Sequence, residues 1–362
     1  MENMKRKLNC ICVKLVISCV VIFGIIASEA NAQSIFILSS EELFELVPGD
    51  ATINLVIDGA KQSATNSDQL PGLIFTEGPT WMNGKLYFSS LCFQQDCEGF
   101  ALVEMEPDGR YKYISHNKMR TNGTIQKGNG NLVVCDMFGH RIIEVSPAGE
   151  VIKVIATHMN DGTRLDGPND LVIDAKGGIY FTDPQFIPGM EKKQPGEAVN
   201  YIKPDGEVIR VIEPDEIAFP NGVLLSPDGK TLYVNNSNHN RKNMSMAENY
   251  ICAYDINEDG TLSNVRHFAQ MILSQRQISS GNKSTGSDGM TIDERGNIYA
   301  TSDYGMQVFN PEGRLLGIIN FPRKAINCCF GGSDNKTMYI TSFDKIYSIK
   351  MNVKGLDYPL KK

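Results

Sequence analysis

The chain has 362 residues, 41% apolar and 21% charged, with 33 Gly and 16 Pro spread along its length. That composition excludes a disordered or fibrous protein and describes many short elements joined by tight turns. Thirty-five Lys and Arg against 42 Asp and Glu give a net charge of −7; with the basic residues scattered, nucleic acid is excluded as a partner.

In chain order, Lys5, Arg6, Lys7 and Lys14 come first, then an apolar run from Leu15 to Ala27, then Ala30-Asn31-Ala32. This is the pattern of a secretory leader cut before Gln33. The apolar run falls short of the ~20 residues of a permanent membrane helix. Residues 1–32 are therefore expected to be a signal peptide and 33–362 one domain, exported to the periplasm or secreted and free of the membrane after cleavage. Without the leader, 31 basic and 40 acidic residues remain, a net −9. Six cysteines also remain: Cys92, Cys97, Cys135, Cys252, Cys328 and Cys329. Cys92 and Cys97 flank a polar loop and are the candidate bridge, whereas the other four lie in apolar strand-like runs that suit buried thiols.

Beyond the leader the chain repeats itself. A turn followed by a short β-type run ending in Ser, Thr, Asp or Asn occurs at residues 84–90, 130–136, 177–183, 229–235, 296–302 and 335–341, six copies in all. Companion hairpin turns lie between them at Pro107-Asp-Gly109, Pro147-Ala-Gly149, Pro204-Asp-Gly206, Glu258-Asp-Gly260 and Pro311-Glu-Gly313. Proline presets φ in such turns and glycine supplies the positive φ. Each unit reads as a four-stranded antiparallel meander, and six of them close as a six-bladed β-propeller, an all-β fold. Helix is expected only around Ser40 to Leu46 and at Ala269 to Arg276.

Repeats share what a fold needs, so chemistry is sought where they differ. Glu77 in Thr-Glu-Gly-Pro, Asn169 in Gly-Pro-Asn-Asp, Asn221 in Phe-Pro-Asn-Gly and Asp288 in Ser-Asp-Gly-Met each stand before an apolar run that reads as the innermost strand of a blade. Converging on the axis, they offer two carboxylates and two amide carbonyls. An all-oxygen set of charge −2 suits one divalent cation, with Ca²⁺ first and Mg²⁺, Mn²⁺ or Zn²⁺ open. The bland reading of each is an ordinary turn dipeptide.

These segments, with Ser226-Pro-Asp-Gly-Lys-Thr-Leu-Tyr233 and Phe330-Gly-Gly, run in an order that resembles the SMP-30/gluconolactonase family over nearly all of the mature chain. The resemblance implies a six-bladed propeller, one axial divalent cation and lactone hydrolysis. It carries the metal ligands onto Glu77, Asn169 and Asp288, adds Asn221, and carries sugar-gripping residues onto Arg120 and Asn122. A solvated turn is the alternative reading of those last two. Departures from the family pattern are Ser287, Ser89-Ser90, Cys328-Cys329 and the loop Cys92 to Gly99.

Opening a sugar lactone needs a polarised carbonyl and an activated water, and a divalent cation serves both without a protein nucleophile. Asp288 is the candidate catalytic base, with a role as ligand alone the other reading. The expected partner is a small sugar lactone, and the expected state a monomer or weak dimer. Two rival functions stand beside this one: cleavage of phosphotriesters or other esters on the same scaffold, and non-catalytic sugar binding by an exported propeller. Gly-x-Ser-x-Gly and His-Glu-x-x-His are missing from the sequence, which removes two other hydrolase chemistries. His140 and His239 read as surface loop residues.

Overall fold

The computed structural model describes residues 34–66, 72–92, 101–116, 119–184, 186, 189, 191–214, 216–217, 219–237 and 249–360. The expected leader and its cleavage point, Cys97 and His239 lie outside them. Residues 35–362 form one compact unit.

Six antiparallel sheets make up this unit. Their innermost strands are Phe75–Met82, Thr121–Gln126, Leu171–Ile173, Pro220–Leu225, Met290–Ile292 and Asn327–Gly331, here blades 1 to 6. Each innermost strand neighbours the next, and the sixth returns to the first, so the sheets form a closed ring. The six sequence copies are the second strands with the turns that lead into them: Lys85–Leu91, Leu132–Asp136, Ile179–Asp183, Thr231–Asn236, Ile298–Ala300 and Thr337–Ser342. These strands are almost wholly buried because both faces of a blade are covered by its neighbours. Five of the leading turns place glycine at positive φ, and in blade 6 Asn335 takes that conformation at φ 54°. Asparagine is among the few residues that tolerate it.

The five companion turns join the third and fourth strands of blades 1 to 5, and the missing sixth one marks how the ring closes. Blade 6 takes its outer strand from the start of the propeller: Asn54–Asp58 pairs antiparallel with Lys345–Lys350. A second clasp, Phe36–Leu38, adds a fifth strand to blade 5 against Leu315–Ile319. Thr76 links blade 1 to blade 6 directly, its N–H donating to Phe343 O at 2.7 Å and its hydroxyl accepting from Ser342 N at 3.1 Å.

The core is a set of wedges between blades instead of one central mass. Met82, Tyr87, Leu132 and Ile143 fill the space between blades 1 and 2. Cys135, Phe181, Val199, Val223 and Val234 continue through blades 2 to 4. Ile57, Leu86, Phe88 and Ile346 seal blade 6 to blade 1.

The first expected helix is Glu41–Leu46, capped by Ser40 Oγ, which accepts from Leu43 N at 3.2 Å; Leu43 and Leu46 are buried. The second differs from expectation. Ala269 belongs to the strand Leu262–Gln270, and the helix is Gln275–Ser279. Pairing of Ala269 with Ile251 holds that part extended. The helix starts where Ser274 and Gln277 satisfy each other's backbone N–H groups, a capping box.

Because Asn54–Asp58 closes the ring by its buried face, Ile57→Ala is expected to cost about 2–4 kcal/mol, whereas Leu55→Ala, at a half-exposed position on the same strand, stays within about 0.5 kcal/mol. Urea unfolding of the two variants, followed by circular dichroism, measures the difference.

Candidate active site

Six dipeptides occupy one level of the ring, one per blade: Glu77-Gly78, Asn122-Gly123, Asn169-Asp170, Asn221-Gly222, Asp288-Gly289 and Ile326-Asn327. Bonds between neighbouring blades define this level. Gly123 N donates to Asn169 O at 2.7 Å, Gly222 N to Asp288 O at 3.2 Å and Gly289 N to Ile326 O at 2.9 Å. Side chains at the ends of four second strands reach hub carbonyls of the next blade. Ser89 Oγ donates to Asn122 O at 2.6 Å, Thr182 Oγ1 to Asn221 O at 2.8 Å, Asn235 Nδ2 to Asp288 O at 2.5 Å and Thr301 Oγ1 to Ile326 O at 2.8 Å. In blades 1, 3, 4 and 5 the polar ending of the repeat copy is thus the latch that fixes the hub residue of the following blade. Cys135 stands at the corresponding place in blade 2 and is a free buried thiol; there, among the described residues, Gly123 N holds Asn169 O.

All four expected metal ligands stand on this level, Glu77 and Asn221 inside their innermost strands and Asn169 and Asp288 just before theirs. Glu77, Asn169 and Asn221 are buried, and Asp288 is half-buried. Asn221 Nδ2 donates to Asp288 Oδ1 at 2.8 Å, tying two of the four together. Glu77 Oε2 accepts from Gly78 N at 2.7 Å and from Asn327 Nδ2 at 3.0 Å. Burial pushes the Glu77 carboxyl well above the usual carboxylate range, and the negative charge of Asp288 pushes it further. Glu77 and Asp288 are therefore close enough to repel across the hub.

Asn122 belongs to the same level and is only 2% exposed, with its Oδ1 buried and without a hydrogen-bond partner among the described residues. The solvated-turn reading does not describe it. Arg120, two residues earlier, is not a hub residue: its guanidinium lies over the Phe138 ring at 4.9 Å, and its N–H donates to Asp136 Oδ1 at 3.0 Å. His140, expected as a surface loop residue, is partly buried, and its Nδ1 contacts Asp166 O.

Sequence reasoning missed two residues of the constellation, Asp170 and Asn327. Burial raises the Asp170 carboxyl to about 7 and the charge of Asp288 adds to the effect, while the Leu171 N–H and the Asn327 amide oppose it. A signal was present. Four of the six dipeptides end in glycine because the next blade comes too close for a side chain: a Cβ on Gly78, which has φ 48°, would lie 2.4 Å from Asn122 O. Asp170 and Asn327 are the two exceptions, and they line a cavity of about 830 Å³ that continues along all six innermost strands toward residues 354–360.

Among the described residues no group of three or more His, Cys, Asp or Glu could by itself hold a metal. The hub is instead a mixed set of carboxylate and amide oxygens. It fits a hard divalent cation on two observations: Glu77 and Asp170 are raised by burial and by the charge of Asp288 while neutral amides are the hydrogen-bond partners of Glu77 and Asp288, and an amide oxygen of Asn122 is buried without a partner among the described residues. Oxygen donors of this kind suit Ca²⁺ or Mg²⁺ better than softer ions.

Three of the departures from the family pattern have a place in the framework of the ring, while residues 93–99 of the fourth, the loop Cys92 to Gly99, lie outside the described residues. Ser287 Oγ accepts from Asn235 Nδ2 at 2.9 Å, Ser89 is a blade latch, and the Cys328 thiol is buried and free. Cys92 is disulfide-bonded. The other four described cysteines are free, so its partner lies outside the described residues, as does Cys97.

Comparison with known proteins adds an independent line. The sequence model of the SMP-30/Gluconolactonase/LRE-like region matches residues 75–344. A gluconolactonase of Zymomonas mobilis is 28% identical over 301 residues, covering 78% of this chain and 80% of that protein. The solved gluconolactonase of Xanthomonas campestris superposes with a TM-score of 0.70 at 24% identity, over 87% of this chain and 94% of its own. Regucalcin of Agrobacterium tumefaciens, described as a calcium-binding protein, superposes with a TM-score of 0.64 at 15% identity, over 86% and 98% of the two chains. At those identities the two superpositions speak to the fold.

The latches make a direct expectation. Thr182→Val keeps the shape but removes the bond to Asn221 O and the 3.1 Å bond that Thr182 Oγ1 accepts from Asp170 N. Denaturant unfolding is expected to show a loss of about 1–3 kcal/mol, the cost of leaving buried polar groups unpaired.

Proposed function

The chain belongs to the SMP-30/gluconolactonase/LRE-like family, and on that footing we propose that it hydrolyses a small sugar lactone at the hub with one divalent cation, Ca²⁺ foremost. The observation that carries this reading is the pair Glu77 and Asp288, two carboxylates brought together at a largely buried hub with neutral amides as their hydrogen-bond partners. Calcium at the hub would be held by Glu77, Asp288, Asn169 and Asn221, and when bound it supplies positive charge opposite a carbonyl oxygen that becomes an oxyanion.

The chain's own residues do the rest. Asp288 accepts the proton of the attacking water, its carboxylate oriented by the Asn221 amide at 2.8 Å. The water oxygen bonds to the lactone carbonyl carbon, the ring C–O bond breaks, and the proton passes from Asp288 to the departing ring oxygen, giving a hydroxy acid. Asn122 presents a buried amide oxygen that accepts from a substrate hydroxyl, and Arg120, held over Phe138, meets a polyol or anionic end at the rim. The gluconolactonase name of the Zymomonas relative supports the substrate class, and the all-oxygen donor set supports calcium.

We also propose that the protein is exported after cleavage before Gln33. The leader pattern and the disulfide at Cys92 both suit an oxidising compartment. N-terminal sequencing of the mature protein is expected to begin at Gln33; a retained Met1 contradicts export by this route.

Glu77→Gln and Asp288→Asn are each expected to lower kcat/KM on glucono-lactone by about 10²-fold or more. A chelator is expected to abolish the activity of the unaltered protein, and calcium to restore it. Full turnover in chelator, or faster turnover of a phosphotriester than of the lactone, contradicts the proposal.

A further inference from the structure

Asn327 is the hub residue of blade 6, and at the junction of blade 6 with blade 1, as at that of blade 2 with blade 3, no second-strand side chain among the described residues latches the next hub carbonyl in the manner of blades 1, 3, 4 and 5. Its place is fixed from three sides. Its N–H donates to Thr341 Oγ1 at 3.0 Å within blade 6. Its Oδ1 accepts from Cys328 N at 2.8 Å, which settles the orientation of the amide and turns Nδ2 away from that bond. Its side chain also fills the space left by Gly289 of blade 5, where a Cβ would lie 2.0 Å from Asn327 Cγ.

The amide nitrogen so placed donates to Glu77 Oε2 of blade 1 at 3.0 Å, and the same side chain stands near enough to Asp170 of blade 3 to oppose the rise of its carboxyl. An –NH₂ group has two hydrogens and no acceptor capacity, so toward a carboxyl it acts only as a donor. Asp170 and Asn327 line the channel beyond the hub, whereas Glu77 does not.

We infer that Asn327 is a positioning residue for the hub: it holds Glu77 in the orientation that receives the cation. This rests on the reading of the hub as a cation site. A carboxyl accepting an amide proton on one oxygen presents the other to the axis, whereas a carboxyl facing a second carboxyl without that proton is pushed away from it. The positional logic also gives Gly289 a role, because only a residue without Cβ leaves room for the amide.

The test uses the full chain and calcium alone as the probe, with affinity read by calorimetry. Asn327→Leu is expected to weaken calcium binding about tenfold or more, and Asn327→Ser, which removes the amide without adding bulk, to act in the same direction. In an Asp170→Asn background, which removes one of the negative charges that act on Glu77, the Asn327→Leu change is expected to cost less than about threefold. Lactone turnover by Asn327→Ser at saturating calcium is expected to return to within about threefold of the unaltered kcat. If both Asn327 variants bind calcium as tightly as the unaltered protein, or if Asn327→Leu costs the same affinity with and without the Asp170→Asn change, the inference is overturned and Asn327 is a strand residue only. If the unaltered protein itself binds no calcium, the cation reading of the hub fails and this inference falls with it. Circular dichroism without calcium accompanies each measurement, so that a lost fold is distinguished from lost affinity.

Discussion

A ring of separate sheets can bring side chains to one point only if each sheet is held in register with the next, and here that register is set by hydrogen bonds to the main chain of the hub residues. Ser89, Thr182, Asn235 and Thr301 each reach across a blade boundary to the carbonyl of the following hub dipeptide. Because the bond is to the backbone, the hub side chain stays available for chemistry while its Cα is fixed. The same four positions are the polar endings of the sequence repeats, so one feature of the repeat both closes the blade pair and places the site. Preorganisation of this kind lowers the cost of assembling a catalytic geometry.

The arrangement is costly in isolation. Glu77, Asp170 and Asp288 bring three carboxyls near one another at a hub that water reaches poorly, and two of them are pushed up in pKa by burial and by the charge of Asp288. A core selected for stability alone would place apolar or paired groups there. Instead the surrounding wedges of Phe181, Val199, Leu86 and Ile346 and the double N-terminal clasp stabilise a ring whose centre is electrostatically strained. Violations of local packing rules of this sort concentrate at functional sites. The glycine that follows most hub residues has the same origin, since neighbouring backbones approach too closely for a Cβ.

Much of this was legible in the sequence because repetition is legible. Six copies gave six second strands, and five companion turns gave five complete hairpins, the missing sixth being the outer strand that arrives from Asn54–Asp58. Glu77, Asn169, Asn221 and Asp288 were visible as polar residues at comparable offsets before apolar runs. Asp170 and Asn327 were not, because a residue that matters by contact with a blade far away in sequence leaves no local period; Asn327 reaches Glu77 across 250 positions. They stand out only when the six hub dipeptides are aligned and the glycine is found missing. The second helix was displaced from its expected place for a related reason: cross-strand pairing of Ala269 with Ile251 overrides any local preference of that segment, and the helix waits for the Ser274 cap.

The most direct measurement is a crystal structure of the full mature chain grown with calcium, with anomalous scattering recorded to place the ion. The account predicts one strong peak on the ring axis, about 2.3–2.6 Å from oxygens that include those of Glu77 and Asp288. A hub without a peak, with calcium bound only at the periphery or nowhere, contradicts it.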